Sequence, residues 1–262
     1  MIGLLASEWI KTKRTAVRWL TFFLPVLFSL AILGYVALRP NTTNSFLFQG
    51  FFEAWSAFVI PIAIGVLAAF IVQEEELAGN FIGYLSNSTA RSMLYFGKFI
   101  LLFLCMAIST IIATVVLCLG SSFVLPSGVS SLIYTCAAIL VIFGILPLLA
   151  IHLWISFAWG TGASIGVGMS GLVIATLIGT TELGDKVWPF IPWAWPAKLA
   201  ALPGEYLNFT VGMAAPPTEI ATGSVVGQLL TGCIAVTICI VAFLVGGIMW
   251  FNKWEGRKYH ES

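Results

Sequence analysis

The residues of this 262-residue chain best equipped for chemistry are Glu74, Glu75 and Glu76, consecutive carboxylates followed along the chain by Arg91 and Lys98. A Glu-Glu pair inside a membrane can serve peptide hydrolysis when an arginine stands four positions after the second glutamate. Here the positions four after Glu74, Glu75 and Glu76 hold Ala78, Gly79 and Asn80, so that chemistry is not supplied. His152 and His260 are the only histidines and never form the close pair that puts two metal ligands on one helix face. No GxxxxGK[ST] loop occurs, so nucleotide phosphates find no cradle of that type. Cys105, Cys118, Cys136, Cys233 and Cys239 all fall in apolar runs; they are expected as small buried side chains, neither a disulfide framework nor a zinc site. Two polar regions remain, residues 73–98 and 182–219.

The elements that must position them are membrane spans. Apolar residues make up 60% of the chain and charged residues 9%, with a mean hydropathy of +1.02; soluble domains carry about 25% charged residues. Six runs, at about 19–38, 51–72, 99–122, 131–157, 162–181 and 222–251, approach or exceed the roughly 20 residues that cross a bilayer. The expected fold is an all-α polytopic membrane protein forming one domain over residues 1–262. Lys11, Lys13, Arg14, Arg18, Arg91, Lys98, Lys253, Arg257 and Lys258 fall on one side and Arg39, Lys186 and Lys198 on the other, which puts both termini in the cytoplasm. No cleavable signal peptide is expected, because the first apolar run follows a basic segment and is long enough to span. A net charge of +1 gives no basis for nucleic-acid binding.

Residues 73–98 form a polar island between two apolar runs. A single charge in hydrocarbon costs roughly 3 kcal/mol or more, so Glu74 to Glu76, Arg91 and Lys98 are expected in water. Within the island Phe81, Ile82, Tyr84 and Leu85 form an apolar cluster flanked by Gly79, Gly83, Ser86, Asn87 and Ser88. That pattern predicts one or two helical turns across the membrane surface, with exposed apolar side chains inviting a partner. Residues 1–18 pattern as an interfacial helix, with Ile2, Leu5, Ala6, Trp9 and Ala16 on one face and Ser7, Lys11, Arg14 and Arg18 on the other. Either a basic anchor for the first span or a partner-contacting helix fits.

The outer loop, 182–219, interleaves Trp188, Trp193 and Trp195 with Pro189, Pro192 and Pro196. Prolines this frequent forbid a continuous span, and the apolar content predicts a broken segment dipping into the outer leaflet. Its tryptophans suit either an interfacial aromatic belt or substrate contact, with Glu182 and Asp185 adding negative charge. Small residues recur every four positions at Gly162, Gly166 and Ser170, and at Gly223, Gly227, Thr231, Ala235 and Cys239; packing within the chain is the default expectation. Glu53 stands within a turn of the outer interface and is expected to reach water, and His152 to face a helix interface or the inner surface. Asn41-Thr42-Thr43 and Asn208-Phe209-Thr210 match glycosylation sequons on the outer side.

The segment E-W-I-K-T-K-R-T (Glu8 to Thr15), the E-E-E-L-A-G-N stretch (Glu74 to Asn80), Leu85-Ser86, Arg91 and Gly97-Lys98 together resemble the permease subunits of bacterial ABC-2 type transporters. The outer-loop text ELGDKVWPFIPWAWPAKL, from Glu182 to Leu199, looks like the permeases of lantibiotic self-protection transporters. One departure is Asn80, where many ABC-2 permeases carry threonine. The resemblance implies a transport subunit in a bacterial cell membrane, with ATP and Mg held by a separate ATP-binding cassette subunit and none bound by this chain. It also implies a second permease, alike or different, and an amphiphilic peptide expelled from the membrane to confer immunity. Glu75, Glu76, Gly79 and Asn80 would begin the coupling element, Phe81 to Leu85, Tyr84 included, would supply its apolar contact, and Arg91 and Lys98 would anchor its return. Export of a lipid, glycan or small drug is an alternative, as is a membrane-embedded enzyme or a transporter that runs without ATP.

Overall fold

In hydrocarbon every backbone polar group needs a partner, and a helix supplies them all within one segment. The computed structural model describes residues 2–13, 15–39, 41–86, 89–125, 129–209 and 217–257. Arg14, Asn87, Ser88, Thr210, Lys258 and His260 lie outside the described residues. Six helical stretches are long and apolar enough to cross a membrane: Ala16–Ala37, Asn44–Leu77, Arg91–Ser121, Ser131–Trp159, Thr161–Gly179 and Ser224–Asn252. The described residues contain no strand, and the chain is an all-α polytopic membrane protein.

A short helix α1 (Ile2–Lys11) precedes the first span, α2 (Ala16–Ala37). The second span starts at Asn44 rather than 51, because the Phe46 N–H donates to Thr43 Oγ1 at 3.2 Å and caps the helix. It runs through α3 (Asn44–Glu53), a π-helical turn (Ala54–Val59) and α4 (Ile60–Leu77). After the four-residue α5 (Ile82–Leu85), the third span is α6 (Arg91–Ser121). The expected polar loop of 73–98 therefore shrinks to 78–90, its two ends being helical. The fourth span breaks at Ile145 into α7 (Ser131–Gly144) and α8 (Leu146–Trp159), with Pro147 in the first turn of α8. The fifth is α9 (Thr161–Gly179), and the sixth, α12 (Ser224–Asn252), follows α10 (Trp195–Ala201) and α11 (Thr218–Ala221).

The tightest crossing joins α4 to α9. A Cβ added at Gly65 would lie 2.8 Å from the Ser164 carbonyl oxygen, and one at Gly168 would lie 2.7 Å from that of Pro61. Only glycines permit this approach, which gains dispersion contacts where lipid removes the hydrophobic effect. Here the small-residue expectation is corrected. The buried stripe of α9 is Ser164, Gly168, Gly171, Ala175 and Gly179, whereas Gly162, Gly166 and Ser170 are exposed. In α12 the buried positions are Val225, Gly232, Val236, Gly247 and Phe251, while Gly223, Gly227 and Thr231 face outward. Nothing lies within 4 Å of a Cβ built at Gly166 or Gly227. His152 is buried in this region, its Nδ1 3.2 Å from Ser164 Oγ, and the Ser164 hydroxyl donates to the Gly65 carbonyl at 2.9 Å. The cysteines are free; Cys105 is buried, but Cys136 is exposed on α7, against expectation.

Candidate functional site

At the end of the molecule that carries α1 and the 78–90 connection, four charges meet. Lys98, on α6, places Nζ 2.5 Å from Glu8 Oε2 on α1 and 2.6 Å from Glu75 Oε1 on α4. Lys11 Nζ lies 2.8 Å from Glu8 Oε1 and 2.7 Å from Glu75 Oε1. The cluster is formally neutral. Lys98 is only 1% exposed and Glu75 7%, so their expected place in water is corrected: opposite charges, not solvent, offset their desolvation. Tyr84 from α5 covers both ammonium groups, its ring centroid 5.7 Å from Lys11 Nζ and 5.5 Å from Lys98 Nζ. Its hydroxyl donates to the Leu94 carbonyl at 2.9 Å. Burial works against the charge of Lys11, but hydrogen bonds to Glu75 and Glu8 outweigh it and raise its pKa above the ordinary lysine value. Burial, with Glu8 and Glu75 adding to it, pushes the Tyr84 phenol well above its ordinary value, so it stays a neutral donor. Leu4 seats α1 on α6 at Gly97, where an added Cβ would lie 3.0 Å from the Leu4 side chain.

The connection itself reverses direction through Gly79, Asn80 and Phe81, with φ of 122°, 49° and 65°. Glycine adopts such values freely and asparagine tolerates them; a phenylalanine there costs of order 1–3 kcal/mol. Packing offsets that strain. The Phe81 ring, 2% exposed, lies 5.0 Å from Trp254 and 6.2 Å from Phe157, with the Arg257 guanidinium 5.3 Å from its centroid. Tyr84, 6% exposed, packs on Phe157 and Phe251. The expectation that Phe81 and Tyr84 offer an exposed apolar contact is therefore corrected, because the left-handed turn aims both into an aromatic nest from α8 and the end of α12. What faces outward is Leu77, 79% exposed, and Ile82, 73% exposed, beside exposed Gly79, Asn80 and Gly83; Leu85 is half-buried. Glu76 pairs with Arg257 at 2.5 Å, and Arg91 Nη1 donates to the Trp254 carbonyl at 2.8 Å.

At the opposite end the tryptophan-proline segment folds into three short 3-10 turns, Glu182–Gly184, Trp188–Phe190 and Pro192–Ala194, then α10 and a further 3-10 stretch, Leu202–Asn208. It enters the helical body. Pro196 lies 3.1 Å from where a Cβ of Gly144 would be, about 20 Å along the fourth span from its start at 1.5 Å per residue. Trp193 sits on Gly171, and Leu199 approaches Gly232. Trp188 and Trp195 are buried, and Trp195 Nε1 donates to the carbonyls of Trp188 at 3.0 Å and Pro189 at 3.2 Å. These two rings line neither the lipid interface nor an open surface, because they pack in one cluster with Leu199 and with Val225 and Val236 of α12, against Leu140 and Phe143 of α7. Trp193 is half-buried; Glu182, Leu183, Asp185 and Phe190 are exposed, and Asp185 pairs with Lys198 at 2.8 Å. Glu53 accepts from Gln49 at 2.8 Å beside a pocket of about 170 Å³ that also meets Glu205.

The sequence singled out neither Glu8, Phe157, Phe251 nor Trp254 as site residues. Their partners lie far away in the chain, and the available hint was Glu8 standing three positions before Lys11 on an amphipathic helix. Residues 4–179 match the family model described as ABC-2 family transporter protein, a stretch that includes most of α1, the 78–90 connection and the first five spans. Comparison with curated proteins and with solved structures gave no match.

Proposed function

Because the chain belongs to the ABC-2 transporter family, we propose that it is the membrane subunit of an ATP-driven exporter of an amphiphilic antimicrobial peptide. A separate ATP-binding cassette subunit, carrying ATP and Mg, docks on the 78–90 connection. The observation that carries this reading is the pair of exposed apolar residues, Leu77 at the end of α4 and Ile82 in α5, flanking a turn whose Phe81 and Tyr84 pack on Phe157 of α8 and on Phe251 and Trp254 at the end of α12. Leucine and isoleucine this exposed beside polar neighbours, at an end rich in Lys and Arg, suit a protein partner on the cytoplasmic side. Both termini then lie in the cytoplasm. The outward small-residue ridges of α9 and α12 supply close-packing surfaces for a second permease.

Peptide cargo is supported by the exposed Glu182, Leu183 and Phe190 at the far end, beside Asp185 in its pair with Lys198, where acidic and apolar groups stand together to meet a cationic amphiphile. One observation favours a second reading, a lipid cargo. A groove of about 770 Å³ between α2 and α4 is lined by apolar side chains, among them Trp19, Phe23, Leu27 and Phe58. Co-purification of an ATPase tests the subunit assignment, and protection of cells against a membrane-active peptide tests the cargo. The peptide reading fails if Glu182→Gln with Phe190→Ala keeps full protection, or loses it only in proportion to protein level.

A further inference from the structure

The sixth span is the least buried of the six, with only 11% of its apolar window inside the molecule, yet its far end is gripped from several sides. Arg91 at the start of α6 donates to the carbonyls of Asn252 at 3.3 Å and Trp254 at 2.8 Å. Trp254 packs against Phe81 and Phe157, with ring centroids 5.0 and 5.4 Å away. Arg257 reaches back to Glu76 at 2.5 Å while its guanidinium covers the Phe81 ring. Gly160, at the end of α8, makes this reach possible, since a Cβ there would strike the guanidinium. Phe81, which the tail covers, is the last of three consecutive residues held at positive φ.

We infer that residues 252–257 are a clamp that holds the 78–90 turn in its left-handed form, and that Arg257 is the positioning residue through which the turn and α12 move together. The physical reason lies in the distribution of contacts. Within this chain α12 is packed over little of its length and resists rigid movement little, whereas its end shares a hydrogen-bonded, charge-paired and aromatic contact with the turn. Displacement of the turn by whatever docks on Leu77 and Ile82 therefore pulls on α12 first. The transmission part of this inference rests on the exporter reading; the clamp itself does not.

The test uses the full chain in lipid nanodiscs and compares amide hydrogen exchange of peptides covering 78–90 in the parent, Arg257→Gln, Arg257→Lys, and the reversal Arg257→Glu with Glu76→Arg. Arg257→Gln is expected to raise exchange of the turn about tenfold, and the reversal to restore most of the protection. Arg257→Lys, which keeps the charge, should fall near the parent. Unchanged exchange in Arg257→Gln overturns the clamp, and so does equal loss of protection in all three variants, which would mark a tail sensitive to any substitution. In the assembled transporter Arg257→Gln should lower transport per ATP hydrolysed while the ATPase still co-purifies. If no ATPase accompanies even the parent chain, the exporter reading fails while the exchange result stands by itself.

Discussion

Replacing Lys98 by methionine removes the buried cation that two buried carboxylates share. Glu8 Oε2 at 2.5 Å and Glu75 Oε1 at 2.6 Å would then have only Lys11, whose side chain is 39% exposed. Breaking a buried ion pair from one side costs about 3–5 kcal/mol, because a charge stays behind without its counter-ion. Lys11 supplies part of the compensation, which favours the lower end, about 3 kcal/mol. At roughly 2–4 °C per kcal/mol for a chain of this size, the midpoint of thermal unfolding should fall by about 6–12 °C. Adding Glu8→Gln removes one orphaned charge, so the double variant should regain at least about half of that loss, as coupled sites do. The assay is tryptophan fluorescence during heating of the purified chain, with Asp185→Asn as the surface comparison. Asp185 is 62% exposed in its pair with Lys198, so losing it should cost under about 1 kcal/mol. A Lys98→Met midpoint within about 2 °C of the parent, or a double variant no more stable than the single, would refute the neutral-cluster account.

The exposed and buried sides of the connection separate by substitution. Leu77→Ser with Ile82→Ser should leave the unfolding midpoint unchanged but weaken ATPase co-purification by roughly a thousandfold, from about 2 kcal/mol of apolar burial lost per side chain. Phe81→Ser with Tyr84→Ser should instead destabilise the isolated chain by several kcal/mol, read in the same thermal scan. Gly65→Ala and Gly168→Ala, which push a methyl against backbone oxygen, should each cost about 1–3 kcal/mol, whereas Gly166→Leu and Gly227→Leu should keep the isolated chain stable. Cross-linking of two permease chains should drop for those leucine variants, and unchanged cross-linking would show that the ridges face lipid. Trp195→Phe deletes the donor to the buried Trp188 carbonyl and to that of Pro189, so its thermal midpoint should fall by the equivalent of about 1–3 kcal/mol.

What the sequence determined follows from the cost of moving groups between water and hydrocarbon. Runs of apolar residues near the length of a bilayer had to be helices, so six spans were legible, as was a tryptophan-proline segment that could enter the membrane only in broken form. Span ends were read less well where local partners extended the helix: Thr43 capped the second span early, and ion pairing let Glu75 and Lys98 remain inside helices. Side-chain direction was decided by tertiary structure. Phe81 and Tyr84 read as exposed because a short apolar cluster in a polar loop has no visible partner; the partners, Phe157, Phe251 and Trp254, come from two other spans. Likewise both glycine periods lay on α9 and α12, but a helix with small residues around much of its circumference does not say which stripe meets a neighbour. Gly168 faces α4 and Gly166 does not, because the Pro61 carbonyl and the Ser164 hydroxyl fix the rotation of α9 against α4. A solvation cost is a property of each residue, and a stretch of chain carries it; the pairing of Lys98 with Glu8, distant in sequence, is a property of the fold.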